Sequence, residues 1–309
     1  MRTMNSPINK TICDPSRRHD FAYLFDVRDG NPNGDPDAGN MPRVDPETMH
    51  GLVTDVAIKR KIRDYVALRH SKEKGCGIYI ELSAALNKKH EHAYKACNIR
   101  PTGKKQKQSD IDVVRKWMCG TYYDIRMFGA VMTTGINCGQ VRGPVQLTFA
   151  RSVDPITPID VTITRMAVTR VEDAEVASPE NGKAGGGKRG AMGRKAIVPY
   201  GLYLGYGFFS PRFAKHCGVT VTDLEIFWDA LINMFEVERS AARGMMALRG
   251  LWVFSHENEL GNAHAHELFS MIRITRKRSV KAPRTFDDYE ITVKRDLPRG
   301  VLLSRVVDG

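Results

Sequence analysis

A loop rich in Asp, Asn and Gly near the start of the chain carries the residue types that bind calcium. Its Asp29, Asn31 and Asn33 alternate as the first ligands of an EF-hand loop do, and Gly34 follows them. The twelfth position of an EF-hand loop supplies a bidentate glutamate, whereas this sequence has Asn40 there. We therefore expect no calcium site. We expect the loop instead to bring backbone N–H groups close to phosphate groups.

A glycine-rich motif, GKAGGGK at residues 182–188, has the spacing of a phosphate-binding P-loop. Arg189 stands where that loop needs Ser or Thr to bind magnesium, and no apolar strand leads into the motif. Nucleotide hydrolysis is therefore not expected. Lys188, Arg189 and Arg194 instead fit a basic loop that contacts a phosphate backbone, which needs only glycine for close approach and cations for charge.

The nine histidines show no spacing typical of a zinc site. His264 and His266 could share one strand face, but no third ligand stands at a familiar distance in sequence. His50 could act as the general base of a metal-independent ribonuclease, with Lys59 or Arg60 stabilising the transition-state charge. A simpler role for His50 is to donate a hydrogen bond to phosphate. We expect no metal and no cofactor, and the ribonuclease remains an alternative.

The net charge of the chain indicates which kinds of molecule it could bind. Lys and Arg number 47 and Asp and Glu 35, so the formal net charge is +12. The surplus is concentrated in residues 59–74, 181–195 and 273–284, and the last two contain no acid. Such clusters fit a polyanion, either nucleic acid or an anionic membrane surface. No apolar run approaches the roughly 20 residues of a membrane span, and no signal-peptide core or amphipathic anchor is visible. Nucleic acid and a cytoplasmic location are favoured, and a peripheral membrane protein ranks last.

The elements that would position these residues alternate between strands and helices. An aromatic stretch at 20–28 predicts a strand, and a helix is predicted from a cap at Asp45 to about Arg69. Residues 70–120 fit an insertion with short helices, and residues 170–196 a protruding loop or hairpin tip. The remaining predictions are strands near 144–151, 160–169, 197–209, 250–255, 268–275 and 289–295, and a helix at 222–237 capped by Thr222. This order indicates an α+β fold and is compatible with a ferredoxin-like core, as one topology among several.

The tetrapeptide GYGF at 205–208 echoes a signature of RNA-recognition motifs. Tyr206 and Phe208 would share one face of a strand, where their rings could stack on bases. The flanking positions of the signature do not match, and packing inside the core is the favoured interpretation.

Several segments resemble, in order, the repeated backbone subunit of type I-C CRISPR Cascade complexes, a family within the repeat-associated RNA-binding superfamily. The longest is FDVRDGNPNGDPDAGNMPRVDPETMHGLVTDVAIKRKIRDYV at 25–66. The others are DIRMFGAVM at 124–132, GPVQLTFARSVDPI at 143–156, SAARGMMALRGLWVFSHENELGNAHAHELFSMIRI at 240–274 and RTFDDYEITV at 284–293. The resemblance therefore spans essentially the whole chain.

This resemblance implies a single domain over residues 1–309 with a modified RNA-recognition-motif (ferredoxin-like) core. A finger-like insertion at about 70–120 and a long thumb hairpin at about 170–200 would complete a hand-like shape. Copies would assemble head to tail along a guide RNA, a contact that builds a helical filament. The implied partners are the CRISPR guide RNA, target DNA, further copies of the chain, and the guide-end and large Cascade subunits. The chain itself would not be an enzyme.

The resemblance also implies which residues bind RNA. Met166 and Met192 are candidates for a thumb wedge between nucleotides, with burial in the core as the equal alternative. The other candidates would contact the RNA backbone and leave sequence recognition to pairing between guide and target. They are Arg28, Asn31, Asn33, Arg43, His50, Lys59, Arg60, Arg142, Arg165, Lys188, Arg189 and Arg194.

Overall fold

The computed structural model describes residues 10–102, 106–165 and 191–308. Its helices are α1 (Asp55–His70), α2 (Leu86–Ala96), α3 (Gln108–Thr121), α4 (Tyr123–Phe128), α5 (Pro211–Cys217), α6 (Val221–Val237) and α7 (Ala265–Ser270). Its strands are β1 (His19–Gly30), β2 (Gly34–Asp35), β3 (Met41–Pro42), β4 (His50–Val53), β5 (Gly129–Val131), β6 (Gln140–Arg142), β7 (Val145–Leu147), β8 (Ala150–Pro155), β9 (Ile159–Arg165), β10 (Ala191–Phe209), β11 (Met245–His256), β12 (Ile272–Arg276), β13 (Tyr289–Val293) and β14 (Val301–Asp308).

One large antiparallel sheet organises the molecule. Its strands run in the order β14–β11–β1–β10–β8–β4, and β7 and β9 also pair with β10. The central pair is β1 with β10, in register from His19 opposite Phe209 to Gly30 opposite Val198. Helices and a mainly antiparallel sheet in one chain confirm the α+β class.

Both faces of the sheet are covered, and the alternation along β1 shows how. Phe21, Tyr23 and Phe25 point to the face that packs on α1 and α6, here called the helix face. Ala22 and Leu24 point to the opposite face, here called the front face, where α7 and the β12–β13 hairpin pack. Because side chains of both parities are buried, β1 reads as an almost continuous apolar run in the sequence.

The first predicted helix begins later than its sequence signals indicate. Thr54 caps α1, since its hydroxyl accepts from the backbone N–H of Ala57 at 3.3 Å. Asp45 instead accepts from backbone N–H groups in a tight turn, and Met49 after it has a left-handed φ of 57°. The prediction of a helix beginning at Asp45 was therefore wrong for residues 45–54. Within this stretch, His50 lies on β4.

Two other element predictions need smaller corrections. The α6 helix begins at Val221, because Thr220 rather than Thr222 forms a capping box with Asp223. The predicted strand at 268–275 is the end of α7 followed by β12, and β14 was not predicted. The predicted short helices within 70–120 are α2 and α3, which build a separate apolar cluster with α4.

A buried ion pair connects α4 of this apolar cluster to α6. Arg126 of α4 binds both carboxylate oxygens of Asp223 on α6, at 3.1 and 2.6 Å. The same guanidinium donates to the carbonyl oxygens of Cys119 in α3 at 2.5 Å and of Gly75, between α1 and α2, at 3.0 Å. One side chain therefore holds three separate segments of the chain together.

Candidate nucleic-acid interface

Arg28, near the end of the central strand β1, has an exposed guanidinium group. It is exposed, lies opposite Tyr200 and Met245 in the sheet, and follows Asp26 on the front face. Asp26 is neutralised by Arg249 at 3.0 Å and accepts from the Tyr200 hydroxyl at 3.2 Å. The Arg28 side chain makes no hydrogen bond or ion pair within the described part of the chain. Its guanidinium can therefore bind an external anion.

Two further predicted arginines also point into solvent. Arg142, at the end of β6, is exposed, and its guanidinium lies 4.3 Å from the centre of the Phe213 ring. A cation–π contact of this kind orients the group without neutralising it. Arg194 of β10 is 82% exposed and faces Asp160 across the β9–β10 pair at 3.6 Å. Such an exposed pair contributes little, so Arg194 also stays available.

The asparagines of the loop after β1 are engaged inside the protein. Asn31 is buried, and its amide donates to the Asn40 carbonyl oxygen at 2.7 Å. The Asn33 side-chain oxygen accepts from both the backbone N–H and the hydroxyl of Thr54, each at 2.9 Å. These bonds dock the loop on the start of α1. RNA contact by the two asparagines stays a prediction.

The basic residues of the loop and of α1 differ in availability. Arg43 pairs with Asp35 at 3.3 Å and is partly exposed. Lys59 is only 13% exposed and is held by Asp55 at 2.9 Å. Arg60, the next residue, is 61% exposed and lies 3.6 Å from its acid on the following turn. Of these three, Arg60 has the most accessible charge.

His50 has one ring nitrogen fixed by the sheet. Its Nδ1 lies 2.7 Å from the carbonyl oxygen of Ser152 on the neighbouring β8. Because a carbonyl only accepts, Nδ1 carries the proton and donates it. In the neutral ring Nε2 is then the acceptor, so His50 can take up a proton or, once charged, donate to phosphate.

The predicted thumb residues are described only in part. Met192 is 76% exposed on β10, opposite Thr164 of β9, so its side chain is not part of the core. Arg165 ends β9, and its side chain lies outside the described residues. Met166, Lys188 and Arg189 also lie outside them.

Two groups singled out by sequence make ring contacts within the protein. The Tyr206 ring stacks on Phe269 with a centroid distance of 4.3 Å, which agrees with the favoured core interpretation of GYGF. His264 caps α7, and its ring stacks on that of His266 in the first turn of the helix at 5.6 Å, so the two do not share a strand face. Within residues 10–102, 106–165 and 191–308, no cluster of three or more metal-ligating side chains occurs. In the same ranges, no helix is long and apolar enough to cross a membrane.

Comparison with known proteins gives the class of the chain. The family model for CRISPR-associated protein Cas7 matches residues 17–294, most of the sequence. The chain therefore belongs to the Cas7 family. The sequence resemblance to backbone subunits of CRISPR complexes is confirmed at this level.

Individual relatives are distant. The CRISPR-associated protein Cas7 of Haloferax volcanii is 22% identical, over 83% of this chain and 75% of its own length. A solved chain of a CRISPR RNA-guided surveillance complex in a pre-nicking state has 14% identity and a TM-score of 0.49, covering 77% of this chain and 78% of its own. A chain of another CRISPR RNA-guided surveillance complex has 14% identity and a TM-score of 0.45, covering 77% and 68%.

Proposed function

We propose that this chain is the non-catalytic, guide-RNA-binding backbone subunit of a type I-C CRISPR interference complex. Copies polymerise head to tail along the guide, together with a guide-end and a large subunit, and the guide recognises target DNA by base pairing. The observation that carries the proposal is the Cas7 family match across residues 17–294. The segments at about 70–120 and 170–200 would serve as finger and thumb.

The arrangement of the sheet supports an RNA-recognition-type core. The strands β11, β1, β10 and β8 lie side by side in that order, and α1 and α6 pack on one face. Along the chain these elements follow one another as β1, α1, β8, β10, α6 and β11. This is the chain order and lateral order of a β-α-β-β-α-β unit.

The exposed cations support backbone contact rather than base recognition. Arg28, Arg142 and Arg194 present guanidinium groups whose charge is at most weakly compensated within the described residues. Phosphate contacts of this type fix the position of a nucleic acid without reading its sequence. A subunit that must accept any guide needs this property, because pairing with the target supplies the specificity.

An electrophoretic shift experiment tests the proposal. The purified chain is titrated onto a guide-length single-stranded RNA in EDTA at several salt concentrations, and the RNA is then examined on a denaturing gel. The expected result is a ladder of regularly spaced shifts with intact RNA, weakening steeply as salt increases. Absence of salt-dependent binding by the folded protein would contradict the proposal.

A metal-independent endoribonuclease is the second candidate, because Nε2 of His50 is an acceptor in the neutral ring. The same gel distinguishes it, since cleavage shortens the RNA even in EDTA. Cleavage that disappears in His50→Ala while RNA binding persists would establish a general-base role. Intact RNA with the unmodified protein favours the binding subunit.

A further inference from the structure

The β12–β13 hairpin, residues 272–293, carries the basic cluster at 273–284, none of whose residues is among the RNA-binding candidates named from the sequence. Its strands pair from Ile272 opposite Val293 to Arg276 opposite Tyr289. Apolar residues of alternate parity, including Ile274, pack on the front face of the sheet. The hairpin is therefore held against the sheet by its inner side. The connection between its strands, residues 277–288, is here called the basic loop.

Three acids lie nearest to the basic loop. Asp287, within the loop, is exposed and interacts electrostatically with Arg249. The other two, Asp288 and Asp154, are used by internal bonds. Asp288 accepts from the backbone N–H groups of Arg284 at 2.7 Å and Thr285 at 3.0 Å, and these bonds lower the pKa of its carboxyl. Asp154 accepts from the Tyr289 hydroxyl at 2.9 Å and pairs with Arg276 at 3.3 Å. These carboxylates close the hairpin and bind it to β8, so they are not free to neutralise the other cations.

Four cations of the hairpin remain exposed, against one exposed acid, Asp287, in the basic loop. The side chains of Arg273, Arg278 and Lys281 make no hydrogen bond or ion pair with any residue that the structure describes. Arg284 uses its guanidinium only toward the carbonyl oxygen of its neighbour Pro283, at 2.9 Å. Like charges gathered on one short segment repel one another, and a bound polyanion would relieve that repulsion.

The basic loop lies at the same end of the front face as Arg28. Phe286 of the loop packs under the Arg249 guanidinium, 5.3 Å from its ring centre. Arg249 in turn pairs with Asp26, two residues before Arg28 on the same face of β1. A nucleic-acid strand bound at Arg28 would therefore lie next to the basic loop.

We propose that Arg273, Arg278, Lys281 and Arg284 form a phosphate-binding surface that continues the one at Arg28 and takes the backbone of a single-stranded nucleic acid. The inference rests on the proposed function and adds a second contact segment to it. Lysine and arginine on an exposed connection contact phosphate without reading bases. The surface is therefore independent of nucleotide sequence.

A charge-matched pair of variants tests the inference. The first is Arg278→Ser/Lys281→Ser/Arg284→Ser. The control, Lys95→Ser/Lys116→Ser/Lys215→Ser, removes the same charge from exposed lysines of α2, α3 and α5, outside the three basic clusters. Binding to a labelled single-stranded RNA is measured by fluorescence anisotropy at several salt concentrations.

The expected effect follows from counterion release. Three lost contacts to a single strand lower the slope of log K against log salt by about 2, and the affinity at about 0.1 M salt by on the order of 100-fold. The control should stay close to the unmodified protein. A variant that keeps the charge, Arg278→Lys/Arg284→Lys, should bind almost normally, which separates charge from folding.

Each alternative outcome has a distinct meaning. If the unmodified protein binds no RNA, the proposed function fails and the inference fails with it. If the unmodified protein binds but the hairpin variant has the same affinity and slope, only the inference is overturned. Equal losses of RNA affinity in both triple variants would also overturn the inference. So would a hairpin variant that binds RNA normally but no longer assembles with further copies, because the basic loop would then contact protein.

Discussion

Acidification should destabilise the fold through one buried histidine, His19, at the start of β1. Its Nε2 lies 3.0 Å from the Asp14 carbonyl oxygen and its Nδ1 2.9 Å from the Ser255 hydroxyl. The carbonyl can only accept, so Nε2 holds the proton and Nδ1 accepts from Ser255. The ring is therefore neutral, and it is fully buried. Desolvation by burial lowers the pKa of His19 from 6.5 to about 4 and outweighs the hydrogen bond and the charge of Asp14, which raise it.

The size of the effect follows from linkage. As the pH falls below 6.5, the unfolded chain binds a proton that the folded chain still rejects, so the equilibrium moves toward unfolding. The contribution of His19 is complete above pH 6.5 and is lost progressively down to about pH 4. At about 1.4 kcal/mol per pKa unit, the loss amounts to about 3 kcal/mol.

Urea unfolding followed by tryptophan fluorescence measures this loss. The unmodified chain is compared with His19→Gln, whose amide can still donate to the Asp14 carbonyl but does not titrate. The variant starts from a lower stability at neutral pH, because its side chain fits the site less well. Between neutral pH and pH 4, the free energy of unfolding should fall by about 3 kcal/mol more in the unmodified chain than in the variant. Parallel curves for the two proteins would refute the reasoning, since all other titrating groups are shared.

Three further predictions concern the fold and the interface. Arg126→Met should lower the free energy of unfolding by about 3–5 kcal/mol, because it leaves the buried carboxylate of Asp223 without its cation. Arg115→Met, at the exposed pair with Asp112, should cost under about 0.5 kcal/mol in the same urea titration. Arg28→Ser should weaken RNA binding about fivefold at about 0.1 M salt, with unchanged affinity arguing against a phosphate contact. Gly207→Ala should cost about 1–3 kcal/mol in thermal or urea unfolding, because its Cβ would overlap the Phe21 ring, and a stable variant would contradict the tight packing described.

Local sequence signals predicted the elements whose burial and caps agree with each other. The first strand was found because both of its faces are buried, and α6 because a cap precedes an apolar stripe. At Asp45 the signals were misleading, since its carboxylate satisfies a turn that ends at Met49. The following residues join β8, about 100 positions further on, as β4. No local pattern contains that pairing.

The sequence predicted a basic surface but could not rank its cations. Lys59 and Arg60 are neighbours on α1, and each has an acid four residues away. Because they point in different directions from the helix, the Lys59 side chain is 13% exposed and the Arg60 side chain 61%. This difference depends on what packs beside α1. The hairpin cations were visible as a cluster at 273–284, but only the structure shows that Arg276 pairs with Asp154. It also shows that the side chains of Arg273, Arg278 and Lys281 have no partner among the described residues.

The covering of the front face has a consequence for how RNA would be recognised. In an open RNA-recognition sheet, aromatic side chains at the centre stack on bases. Here the Tyr206 ring on the front face stacks on Phe269 of α7, and the β12–β13 hairpin packs on the same face. On the proposed function, contact therefore falls to cations at the margin of the sheet, such as Arg28 and the basic loop. Phosphate is common to every nucleotide, so such a margin binds any guide equally, and its affinity depends on salt rather than on sequence.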